Sequence, residues 1–167
     1  MSIQLKNATT GVYIREFIEE NLVREIARAE RHERPLCLAM ICLDKFQELH
    51  DQYGPKVNEQ ILIQVASRIQ LTIRQCDSLL GYWTPYEFLV CLMECNLRGA
   101  LSTLERIRSR VSSEPLHIHT HQIPATITIG VAPMHPGIKS ETLIQEAQHA
   151  LNQAKQKGFN QICHLEV

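Results

Sequence analysis

This 167-residue sequence has no block of lysine or arginine, and its formal net charge is -1. That excludes charge-driven binding to nucleic acid or to a membrane surface. It has no long hydrophobic run either. The longest, "PLCLAMICL" at 35–43, is far too short to cross a bilayer, which takes about 20 apolar residues. The opening "MSIQLKNATT" holds no hydrophobic stretch, so no signal peptide is read. The expected setting is cytoplasmic, with the chain standing alone or forming the cytoplasmic part of a larger protein. C-x-x-C pairs are missing, although there are six cysteines: Cys37, Cys42, Cys76, Cys91, Cys95 and Cys163. Several lie in apolar runs, where a free thiol behaves as a small hydrophobe, and the set reads as reduced and structural. Linkers, repeats and low-complexity tracts are absent too. That leaves a single domain over 1–167, with a core from about 8 to 165.

What is present is an ordinary globular composition, 44% hydrophobic and 21% charged, enough to bury a core. Residues 14–32 carry Phe17, Ile18, Leu22, Ile26 and Ala29 at helical spacing. The run after Pro35 is apolar on both faces, as a central strand should be. A short helix is expected near 45–52. Gly54-Pro55 breaks it and starts a second helix running to about Arg74, with Val57, Ile61, Val65, Ile69 and Ile73 as its buried stripe. A hairpin over 78–93, a helix over 97–112, strands at "LHIHTH" and "ATITIGVA", a helix over 141–156 and a closing strand "QICHLEV" follow. Ser140 is the expected N-cap of the last helix and Gly158 its terminator. The order predicts an α+β fold, a mixed α/β sandwich with helices flanking one central, antiparallel-containing sheet.

Two stretches ask for more. In "LHIHTH", His117, His119 and His121 alternate, so an extended strand would point all three to one face. Imidazoles so placed suit zinc or nickel, but no acidic or thiol partner lies nearby in sequence, and the reading preferred is an exposed strand face. In "GYWTPYEF" at 81–88, the turn holds Trp83, Thr84, Pro85 and Tyr86 where a tight hairpin prefers Gly, Asn or Asp. Trp83 and Tyr86 there either form an aromatic contact site or cover an apolar patch.

Five stretches in order resemble the GGDEF domain of bacterial diguanylate cyclases: "TTGVYIREF", "ICLDKFQELHDQYG", "YWTPYEF", "TITIGVA" and "EAQHALNQAKQKGFNQI". The third sits where that family has "RYGGDEF". The resemblance implies a palm-like nucleotidyl-cyclase fold and the joining of two GTP molecules into cyclic di-GMP between two monomers. It also allows the functional positions to be checked one at a time. Magnesium wants oxygen ligands, but the two metal carboxylates correspond to Cys42 and Tyr86, and only Glu87 and Phe88 of the signature are kept. The guanine-reading positions correspond to His50 and Glu59. Of two phosphate-binding cations, Lys155 is kept and the other position holds Phe159.

With these changes the resemblance implies a degenerate domain: not an enzyme, with no cofactor and Mg²⁺ binding lost. Its expected role is that of a catalytically inactive regulatory or binding module in cyclic di-GMP signalling, with a vestigial GTP site at His50, Glu59 and Lys155. Three alternatives stay open. Arg74 and Asp77 match the family's R-x-x-D product site, one residue further from the signature than usual, which implies a cyclic di-GMP receptor. A cyclase with an atypical metal site is the second, and a protein–protein scaffold that takes no nucleotide is the third. The implied partners are cyclic di-GMP or GTP, an attached or separate phosphodiesterase or other signalling domain, and a second copy of the chain in a homodimer. Neither nucleic acid nor membrane contact is expected.

Overall fold

The computed structural model describes residues 6, 7, 10–73 and 78–165. Its elements run α1 (Arg15–Arg31), β1 (Leu36–Leu43), α2 (Phe46–Ile73), β2 (Ser78–Thr84), β3 (Glu87–Met93), α3 (Leu97–Ser112), β4 (Leu116–Ile118), β5 (His121–Ile123), β6 (Ile127–Pro133), α4 (Ser140–Gln156) and β7 (Ile162–His164). Five strands form one sheet in the order β2-β3-β1-β6-β7. Every pairing in it is antiparallel except β6 with β7, which α4 joins by a crossover. This is the expected α+β sandwich.

The sequence explains the layering. Every residue of β1 is buried, and its alternate side chains enter two different cores. Cys37, Ala39, Ile41 and Leu43 pack with Val65 and Ile69 of α2 and Leu104 and Ile107 of α3. Leu38, Met40 and Cys42 pack with Ile18 and Leu22 of α1 and Leu143 and Ala147 of α4. A strand with a helix layer on each face must be apolar at every position. The predicted break in the second helix is also present. Gly54 has φ +85 inside α2, with Pro55 beside it. A side chain at that φ is strained, so glycine sets the bend between the two halves of α2.

Two expectations need correcting. Ser140 is the first helical residue of α4, not its cap. Lys139 holds the cap position, and its side chain makes no capping bond. More consequentially, "LHIHTH" is not one strand. It folds into the separate β4–β5 hairpin, in which Ile118 pairs with His121. His119 lies in the turn with φ +54. The three imidazoles therefore do not share a strand face, and His121 packs edge-on against Tyr53 at 5.2 Å between ring centroids.

The buried cysteines make the fold sensitive to alkali. Burial, the larger cause in each case, pushes the Cys37 and Cys91 thiols up to about 12 and Cys42 up to about 11. Below the ordinary thiol value near 8.5 both folded and unfolded states keep the proton. Above it the unfolded chain ionises and the folded one does not. Stability is thus present below about pH 8.5 and lost as pH rises toward the folded values. The unfolding free energy measured in urea is expected to fall steadily between about pH 9 and 11, by up to about 1.4 kcal/mol per pH unit for each such thiol. Cys91→Ala should flatten the slope, and an equally steep profile in that variant would contradict the assignment.

Candidate functional site

The site forms where β1 ends and the β2–β3 hairpin turns. Thr84 pairs with Glu87, so Pro85 and Tyr86 alone make the turn. Neither has positive φ, and so glycine is not demanded there. Pro85, with its φ fixed near -65°, suits the first central position of such a turn. The register slips between Tyr82 and Thr84, which makes Trp83 an extra residue in a β-bulge.

The turn's aromatic side chains are spoken for. Trp83 is 8% exposed. The Arg15 guanidinium lies 3.7 Å from its ring centroid, and Arg15 Nη1 donates to the Trp83 carbonyl at 3.1 Å. Tyr86 stacks on Phe46 at 4.3 Å, and its carbonyl accepts from the Leu43 amide at 3.0 Å. Of the two readings offered for this pair, cover for an apolar patch is the one the contacts show.

Three of the residues singled out from sequence meet beside this turn. Glu87 pairs with Cys42 across β1–β3 and accepts from the Thr84 hydroxyl at 2.9 Å. Cys42 is buried and its thiol is pushed up to about 11, first by burial and then by Glu87 and Asp44, against the lowering effect of the Lys155 charge; the thiol itself donates to the Leu43 carbonyl at 3.6 Å. At neutral pH this position offers a protonated thiol, not a thiolate. Lys155, on the last turn of α4, is half-buried. One turn on, past the end of α4, Phe159 is 52% exposed.

Asp44 has a different task. Its buried carboxylate accepts from Thr126 Oγ1 at 2.7 Å, Thr128 Oγ1 at 2.5 Å and the Asn160 amide at 2.9 Å. It ties the end of β1 to β6 and to the loop before β7. With its lone pairs so engaged, it holds the site's floor in place.

The remaining residues lie along α2. His50, on the first half, is half-buried, its ring 6.3 Å from that of Phe46. Glu59, beyond the Gly54 bend, is exposed. It lines a cleft of about 470 Å³ whose other walls include Thr10, Arg15, Leu62, Tyr82 and Trp83. Arg74 and Asp77 lie outside the described residues. Just before them, a groove between α2 and α3 is lined by Leu71, Thr72, Glu105, Arg106, Ser109 and Arg110. The sequence reading passed over Arg15, Arg106 and Arg110. Arg106 and Arg110 stand four apart, one helical turn, in "ERIRSRV", which was a usable signal for a cationic face. Arg15 gave none, because its partner Trp83 is 68 residues away.

Comparison with known proteins adds what geometry alone does not. The chain matches the family described as "Diguanylate cyclase, GGDEF domain" over residues 7–161. It is 35% identical over 154 residues to diguanylate cyclase DosC of Escherichia coli (strain K12), an alignment that covers 92% of this chain and 33% of that protein. The chain thus spans about a third of that relative's length. It superposes with a TM-score of 0.92 and 27% identity on diguanylate cyclase SiaD of Pseudomonas aeruginosa, solved with its activator SiaC, covering 97% of this chain and 62% of that one. The GGDEF domain of DgcB from Caulobacter crescentus, in complex with c-di-GMP, gives a TM-score of 0.92 at 25% identity, with 100% of this chain and 97% of that one covered.

These relatives overturn two expectations. That the chain is not an enzyme rested on a coordinated set of changes: Cys42 and Tyr86 where the family has carboxylates, Trp83, Thr84 and Pro85 where it has the turn glycines, and Phe159 where it has a second phosphate cation. The similar proteins are named diguanylate cyclases, and that points to an enzyme. That Mg²⁺ binding is lost falls with it. The family's phosphoryl transfer is metal-assisted, and the Glu87 carboxylate, opposite Cys42, is still an oxygen donor of the kind Mg²⁺ takes.

Proposed function

Because the chain belongs to the GGDEF family of diguanylate cyclases, we propose that it binds guanine nucleotide beside the β2–β3 turn and serves cyclic di-GMP signalling through the family's reaction, run on an altered set of side chains. In that reaction two GTP molecules are joined into cyclic di-GMP, one held by each monomer of a homodimer. The observation that carries the reading is the meeting of Glu87, Cys42 and Lys155 at the end of β1. Lys155 is the cation for the nucleotide's phosphates. Glu87 is the carboxylate left to hold a divalent cation, which when bound neutralises phosphate charge. His50 and Glu59 flank the Gly54 bend and are the hydrogen-bonding groups for the guanine edge. Phe159 takes the place of a second cation, so phosphate holding rests on Lys155. DosC is about three times as long as its aligned part. We infer that this domain likewise works beside other signalling domains, a phosphodiesterase among the candidates.

The test is calorimetric. GTP with Mg²⁺ is expected to bind, and Lys155→Ala to weaken it at least about tenfold, the scale of one charge-assisted contact. Unchanged affinity in that variant would remove Lys155 from the site. Silence toward every nucleotide would favour a protein scaffold instead.

One observation favours a second, compatible reading, a cyclic di-GMP receptor site. The α2–α3 groove places Arg106 and Arg110 next to the end of α2, after which Arg74 and Asp77 follow in sequence. Arginine recognises the guanine O6 and N7 edge in two-point fashion, and this groove supplies the second basic residue such a site needs. Arg74→Ala and Arg106→Ala should each lower cyclic di-GMP affinity at least about tenfold without changing GTP affinity. If both leave it unchanged, the groove is not the receptor site.

A further inference from the structure

We propose that the groove between α1 and α4 is a docking surface for a basic amphipathic helix of a partner protein. Two adjoining hollows, of about 660 and 340 Å³, lie between these helices. Both are lined by Val23, Ser140 and Glu141, so they form one trough. Its apolar lining comes from Val23, Ile26, Ile138 and Ile144. Val23 is 55% exposed, although it sits on the same helix as the buried Ile18, Leu22 and Ile26. A lone exposed valine says little, but this one lies where two hollows meet and has apolar neighbours on both sides.

The rim is acidic. Glu16, Glu19, Glu20, Glu30 and Glu141 line the trough, against Arg15 and Lys139. Five carboxylates face Arg15 and Lys139 of the lining and Arg24, which reaches Glu20 at 3.9 Å, leaving an excess of two negative charges on a chain whose net charge is only -1. Arg15 is held within the rim, stacked on Trp83 and paired with Glu19 at 2.8 Å, which leaves Glu16, Glu30 and Glu141 as carboxylates with no ion pair among the described residues. An apolar floor inside an acidic rim complements a helix with an apolar stripe flanked by lysine or arginine. The same rim repels an acidic peptide or an anionic lipid surface.

The placement gives the trough a regulatory use. Arg15 and Trp83 line it on one side and line the Glu59 cleft on the other. A helix seated in the trough touches the pair that backs the nucleotide cleft, so each site biases the other by the same factor. This coupling rests on the function proposed above, whereas docking does not.

The probe is an amphipathic peptide of about 18 residues built from leucine and lysine, titrated into the nucleotide-free chain. Trp83, the only tryptophan, reports by its fluorescence. Saturable binding is expected, weakened at least tenfold by Val23→Asp and by Glu141→Lys, both surface changes that should leave the far-UV spectrum intact. Binding should also weaken in about 0.5 M salt. Equal affinity in both variants overturns the proposal, as does equal binding of the leucine–glutamate counterpart. A concentration-dependent dimer abolished by Val23→Asp would assign the trough to a second copy and also overturn it. With nucleotide absent, a later failure of GTP binding would leave a positive docking result standing and remove only the coupling.

Discussion

Gly130→Ala is expected to cost at least about 4 kcal/mol, the range reserved for severe steric faults, and to leave little or no folded protein. Gly130 sits in β6, paired with Met40 on one side and Cys163 on the other. A Cβ added there would lie 2.1 Å from the Leu151 amide nitrogen, 2.4 Å from the Ala147 carbonyl oxygen and 2.6 Å from the Leu151 Cα. All three are main-chain atoms of α4, so no rotamer change relieves the clash. Relief requires α4 to lift from the sheet. That would open the packing of Leu143, Ala147 and Leu151 and move Lys155, on the same helix, away from Cys42. Domains of this size hold about 5–15 kcal/mol in total, so the loss is a large share. Gly137→Ala is the control. Its φ is +79 but nothing lies within 4 Å of a Cβ at that position, so only backbone strain of about 1–2 kcal/mol applies. Denaturant unfolding of the two variants should differ by at least about 2 kcal/mol. Equal stabilities would show that α4 does not sit as closely on β6 as described.

The largest expected gain is in activity. Cys42→Asp combined with Tyr86→Glu should raise cyclic di-GMP formation from GTP and Mg²⁺ by at least about 100-fold, the usual worth of one well-placed charge-stabilising contact. The two positions lie at the end of β1 and in the facing turn, linked by the bond from the Leu43 amide to the Tyr86 carbonyl. Carboxylates on both would add hard oxygen ligands beside Glu87. The fold can bear the change. Lys155 stands against position 42 as a counter-charge, and Tyr86 gives up one ring stack with Phe46, worth about 0.5–1.5 kcal/mol. Product is measured by chromatography, and Cys42→Ala with Tyr86→Phe serves as the control. An unchanged rate in the double carboxylate variant would mean that these two positions do not limit turnover.

Much of the frame was legible because it is local. The α1 stripe of Ile18, Leu22, Ile26 and Ala29, the doubly buried β1 and the Gly54-Pro55 bend each follow from spacing within one element. The histidine stretch misled for a physical reason. Alternation of His117, His119 and His121 continues unbroken through a two-residue turn, because His119 adopts the positive φ that glycine or asparagine would have advertised. The site was legible as a set of positions and opaque as a set of roles. Asp44 is a buried acid just past β1 whose task shows only in the fold, because its partners Thr126 and Thr128 lie 82 and 84 residues further on. Trp83 looked like a candidate for an exposed tip until Arg15 was seen to cover it. Neither contact leaves a trace in local sequence. Activity was the hardest to read, since changes at the metal, turn and phosphate positions weighed more in a residue-by-residue check than whole-chain similarity to DosC and SiaD, which are named diguanylate cyclases.

The proposed function places guanine nucleotide beside Glu59, Glu87 and Lys155. Calorimetry of the chain with GTP and with ATP, each with Mg²⁺, tests it. GTP is expected to bind at least about tenfold more tightly than ATP, a margin of about 1.4 kcal/mol, because in the proposed site His50 and Glu59 would read the base while Lys155 would treat both triphosphates alike. Equal affinity for the two, or no heat with either, would contradict it.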